Sequence, residues 1–254
     1  MARLISGEFA KLWSTRLWMW LLLATIGLTA LFASLNIAFN DDPATLAPPL
    51  ATAAGQRLLF GTAAGGAQTL VAVLAAIGIT TEYRHRTATT TYLTTPHRTR
   101  VIVAKLVTYC LVGAAYAIVC LAVVAVIAWP WLNARGIDVT VTGNGIPATA
   151  MGVIAAVTFF ALLGVGLGAL LREQVGTVVA VLVYLFVAEP IVTRIPALQD
   201  WTVYLPGPSA SALARITLTD QSFLRPWQGG LVLALYCLGV ISAGLWRTTR
   251  LDLT

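Results

Sequence analysis

The sequence predicts an all-α membrane protein of about six transmembrane helices, and three observations carry that prediction. Apolar runs recur along the whole chain with short polar breaks between them, and a helical span needs only about 20 mostly apolar residues. Of the 254 residues, 58% are hydrophobic and 10% charged, with a mean hydropathy of +0.84; an ordinary soluble domain carries about 25% charged residues. The net charge of +6 gathers in particular breaks, as positive-inside insertion requires, so it reads as topology and not as a nucleic-acid surface. No room is left for a soluble catalytic domain.

Taken in order, residues 1–16, MARLISGEFAKLWSTR, space Leu4, Ile5, Phe9, Leu12 and Trp13 as one face of a helix, with Glu8, Lys11 and Arg16 between them. That pattern predicts an amphipathic helix lying in the membrane interface. Residues 17–39 form the first span, too long for a signal-peptide core and without a small-residue cleavage site, so it is expected to stay uncleaved. The Pro- and Ala-rich loop 40–57 leads to a second span, 58–79. Spans three to six are expected at 101–128, 148–171, 176–188 and 228–246. The third is followed by WPWLNARG and a Gly- and Pro-containing surface loop, and the fourth and fifth are joined by the short turn LREQ. Residues 189–227 carry several prolines that break any long helix, yet enough aromatics and leucines to predict an extracellular or re-entrant segment.

If the N-terminus is cytoplasmic, eleven of the 16 Lys and Arg residues fall on the inner side, which predicts both termini inside and places residues 80–100, TTEYRHRTATTTYLTTPHRTR, in the cytoplasm. Within that stretch, residues 82–93 suit a short helix in which Glu82 and Arg86 are spaced i,i+4 in the favourable order. Pro96 ends it by pushing Thr95 out of the α region. Lys105, about a turn inside the next span, is expected to snorkel back to the interface. On charge alone, the stretch is explained as a positive-inside loop.

The same residues resemble a known family. ABC-2 type transporter permeases, the membrane subunits of ATP-driven exporters, carry a stretch running Glu-x-x-x-Gly-Thr, leucines, Pro, basic residues and a Lys opening the next span. Here Glu82, Thr87, Leu93, Pro96, Arg98 and Lys105 match it, and EFAKLWSTRLWMW is similar to the opening of small bacterial members. Arg86 stands where the family usually has Gly. The resemblance implies that residues 80–100 are a coupling helix docking on an ATPase subunit, with Glu82, Tyr83, Arg84, Arg86, Thr87, Leu93, Pro96 and Arg98 as the coupling residues. It also implies a bacterial plasma-membrane location, two copies of a separate ATPase that binds ATP and Mg, and a second permease half, identical or similar. The chain has no Walker-type G-x-x-x-x-G-K-[ST] loop, so hydrolysis is expected on another polypeptide and no cofactor on this one.

Other residues are weighed on their own chemistry. Glu189, bordering the apolar interior before Pro190, is either a gate or substrate contact, or an interfacial acid that pairs with Arg194 or caps a short helix. The small-xxx-small pairs Gly61/Gly65 and Gly164/Gly168 are expected to serve packing within the subunit more than dimerisation. Cys110, Cys120 and Cys237 lie in apolar runs and read as packing residues, while His85 and His97 sit among arginines as solvated surface. The interior favours a hydrophobic or amphipathic cargo, such as a drug, lipid or lipopeptide. A non-transporting scaffold or immunity protein is the alternative. A proton-coupled carrier fits less well, because the spans hold almost no ionisable relay.

Overall fold

The computed structural model describes residues 2–40, 42, 47–84, 98–139, 142–216 and 224–250. The described residues are helical and contain no strand, and six helices are long and apolar enough to cross a membrane. The protein is therefore a multi-pass, all-α membrane protein. In hydrocarbon only a helix satisfies every backbone N–H and C=O within its own segment, which is why uninterrupted Leu, Val, Ile and Ala runs resolve this way.

The longer helices among the described residues are α1 (Ala2–Ser14), α2 (Leu17–Ala38), α3 (Ala53–Arg84), α4 (Arg98–Ala134), α5 (Ile146–Leu171), α6 (Gln174–Val192), the short α7 (Pro206–Leu213) and α8 (Pro226–Arg250), with two single turns at Pro196–Leu198 and Gln199–Thr202 between α6 and α7. Helix α3 has 32 residues and α4 has 37, about 48 and 55 Å at 1.5 Å per residue, so both outrun a hydrocarbon core of about 30 Å. Helix α4 continues through Trp129, Pro130 and Trp131, where the sequence suggested a loop. Leu132, fully buried, anchors that last turn.

Helix α5 is the centre of the bundle, packing most extensively on α3 and also on α4 and α8. Its contact with α3 is made at glycines: any side chain on Gly164 would strike the Ala72 backbone, and one on Gly168 would strike Ile79. Closely approaching backbones gain dispersion contacts, the main attraction between helices in lipid. These two glycines thus pack within the subunit, as does Gly61 against Ile216, whereas Gly65 meets nothing. Cys120 and Cys237 are buried, and the Cys237 thiol donates to the Phe159 carbonyl at 3.3 Å.

The turn between α5 and α6 is two residues long. Arg172 takes a left-handed conformation (φ 59°) to close α5, and the Glu173 side chain caps α6 through the N–H groups of Val175 and Gly176. Beyond α6 the chain turns back, and α7 lies against α5 and α8 with Pro206, Ser209, Ala210 and Ala212 buried. This part of the proline-rich segment is built into the bundle.

Candidate functional site

The functional geometry begins where α1, the end of α3 and the start of α4 meet. Helix α1 turns Glu8 and Leu12 toward the bundle and leaves Lys11 half exposed and Trp13 exposed. Lys105, one to two turns into α4, is 2% exposed. Its ammonium donates to Glu8 Oε2 at 2.5 Å and to Glu82 Oε1 at 2.7 Å. Lys11 completes the set, donating to Glu8 Oε1 at 2.7 Å and to the same Glu82 oxygen at 2.8 Å.

The result is a tetrad of two cations and two anions joining three helices, with no net charge. Burying any one of these charges alone would cost several kcal/mol, and the mutual pairing offsets that cost. Lysine 11 lies outside the spans, and its pKa has a clear direction. Partial burial pulls it down, but hydrogen bonds and attraction from Glu8 and Glu82 outweigh this and hold it above the ordinary lysine range.

Lys105 does not snorkel. Two carboxylates meet it inside the protein, and once paired the ammonium gains nothing by reaching for water. The four tetrad side chains themselves line a cavity of about 570 Å³, together with Leu12, Leu17, Leu74, Gly78, Tyr109 and Gln174 among others. Gly78 is required there because the Tyr109 hydroxyl rests where its side chain would be.

A second polar contact sits at the same end. The Arg172 guanidinium lies 5.5 Å over the Tyr83 ring and donates to the Arg247 carbonyl at 2.7 Å, and Arg247 donates in turn to the Leu170 carbonyl. The ends of α3, α5 and α8 are thereby tied together.

Of the coupling residues read from the sequence, Glu82 and Tyr83 fall in the last turn of α3. Both are engaged within the subunit, with the tetrad and with Arg172 respectively. Arg84 ends α3 and Arg98 begins α4. Arg86, Thr87, Leu93 and Pro96, with the expected Glu82–Arg86 pair and the short helix, lie outside the described residues, as do His85 and His97. Glu8, Lys11 and Lys105 were not singled out together. The signal was a charge inside a span, which demands a partner, but nothing in the spacing pairs residue 8 with residue 105.

Glu189 lies toward the other end of α6, about 22 Å beyond Gln174 at 1.5 Å per residue. It is 8% exposed and forms no ion pair with Arg194 or any other described residue. Its carboxyl accepts from the Gly207 backbone N–H and sits beside the Tyr184 hydroxyl. The residue is thus buried within the bundle, and of the Arg194 pair and the helix cap it takes the cap, on the first turn of α7.

The fold and these contacts define a polytopic helical membrane protein with a neutral charge network at one end and a buried acid near the other. No protein-family model matches the chain, and no curated protein matches it.

Proposed function

We propose that this chain is the membrane subunit of an ABC-2 type exporter, moving a hydrophobic or amphipathic cargo out of the cytoplasm or inner leaflet with ATP hydrolysed by a separate subunit. The observation that carries the proposal is the tetrad. Glu82 closes the last turn of α3, immediately before the stretch that resembles a coupling helix, and its carboxylate holds both α1 and α4.

An ATPase that displaces residues 85–97 would therefore pull on α3 and α4, through their chain connections, and on α1 through the ion pairs. The Arg172 contact to Tyr83 would carry the same displacement to α5 and α8. In this reading Glu82 is a positioning residue that keeps the lever rigid, and the docking contacts belong to the residues after it. Both termini and the lever are cytoplasmic, in a bacterial plasma membrane, and the working unit holds two permease halves and two ATPases.

The test is to purify the tagged protein from its native membranes, with and without crosslinking before solubilisation. A stoichiometric companion with a P-loop and ATPase activity is the expected result. A protein that comes out alone in both preparations overturns the proposal and favours a scaffold or immunity role.

A further inference from the structure

Midway along the bundle, α3, α5, α6, α7 and α8 line a second cavity of about 480 Å³, within the range of small-molecule sites. Its walls are almost wholly apolar, with Ala72, Leu163, Val181 and Leu205 among them, and three aromatic rings face it from different helices: Phe160 of α5, Tyr184 of α6 and Tyr236 of α8.

Helix α6 is distorted where it meets this cavity. Residues Tyr184–Ala188 form a π-helical turn in which the Glu189 N–H bonds to the Tyr184 carbonyl, five residues back. In a regular α-helix residues five apart are about 140° out of register. The wider turn brings Tyr184 and Glu189 toward one face, and such turns recur at functional sites.

The Glu189 carboxyl lies directly behind the cavity wall, against Tyr184, which lines it, and against Gly207, which follows the lining residue Pro206. Gly207 admits it, since any side chain there would overlap Oε1. The other oxygen, Oε2, is buried with no hydrogen-bond partner among the described residues. A buried acid with one oxygen unbonded and no cation among the described residues is held in its charged form only when a cation comes beside it, because buried charges are ordinarily paired or neutralised.

We propose that this cavity binds an amphiphilic organic cation, an apolar body bearing an ammonium group, with Glu189 as counter-charge and Tyr184 and Tyr236 as aromatic walls of the ammonium subsite. Quaternary ammonium groups are recognised this way, by ring faces within about 6 Å. As a cargo site the cavity rests on the exporter reading; as a binding site it does not.

The test uses the purified full-length chain in nanodiscs of zwitterionic lipid, with no ATPase or nucleotide. Two dansyl-labelled decyl probes are compared by fluorescence polarisation, one ending in trimethylammonium and the other in its neutral tert-butyl isostere. Wild type is expected to prefer the cation by at least about tenfold, and Glu189→Gln, which keeps an acceptor for Gly207, to abolish that preference while leaving neutral-probe affinity within about twofold. Val181→Trp should remove saturable binding of both by filling the cavity. Equal affinity of wild type for the two probes overturns the proposal without need of any variant, and so does a folded Glu189→Gln protein that keeps the preference. Saturable, selective binding by a chain that never co-purifies with an ATPase would leave the site standing and remove only its use in ATP-driven export.

Discussion

Glu82 and Glu189 are both carboxylates held inside one helical bundle, near opposite ends, and they are satisfied in opposite ways. Glu82 shares one oxygen between two ammonium groups within a closed four-charge network, whereas Glu189 meets a backbone N–H and a tyrosine, with one oxygen left over. A closed network stiffens the helices it joins. An open acid leaves room for a partner that comes and goes. Under the proposals made above, the difference would separate a transmission element from a binding element.

The comparison is sharpened first at Lys105. Replacing it with Met leaves Glu8 and Glu82 without their most buried counter-charge, and a loss of about 3–5 kcal/mol is expected, read as a collapse of the monodisperse gel-filtration peak and a lower Tm in detergent. Combining Lys105→Met with Glu8→Gln should recover part of that loss; a double variant no better than the single would show that packing, and not charge, holds α1. Next comes Gly164→Ala, whose new methyl meets the Ala72 backbone and separates α3 from α5, at a cost of about 1–3 kcal/mol in the same melt.

Glu189→Gln is expected to lower stability by less than about 1 kcal/mol, since no cation is orphaned and the cap to α7 survives. A drop as large as that of Lys105→Met would break the comparison by revealing a charged partner for Glu189. The smallest effect belongs to Lys11, which is half exposed: Lys11→Met should cost about 0–1 kcal/mol. Its raised pKa fixes the pH behaviour. A cation favoured in the folded state contributes fully below the unfolded lysine value and is lost as pH climbs through the folded one. Tm differences between wild type and Lys11→Met should therefore hold constant from pH 7 to 9 and vanish only above about pH 10.4.

The helical class and the number of spans were legible because the bilayer imposes one period and one length on every crossing segment. The ends were less so. Helix α4 passes through Pro130 because Leu132 packs, which is a tertiary fact, and α7 was hidden among prolines that happen to stand at a helix start, as Pro206 does. At the site, Glu82 and Glu189 stood out as acids beside apolar runs. The partnership of Glu8 with Lys105 crosses 97 positions, and no local pattern encodes a contact of that separation. The π turn at Tyr184 was equally silent, since YLFVA reads as ordinary helix.

The tetrad also has a consequence for biogenesis. Glu8 and Lys11 leave the ribosome long before Lys105, so α1 must wait beside the nascent spans until its binding site is translated and inserted. Once inserted, Lys105 has Glu82 beside it from the neighbouring span and gains Glu8 only when α1 docks. The network at this end can therefore close only after α3 and α4 have inserted side by side, since it takes one residue from each of them and two from the N-terminal helix.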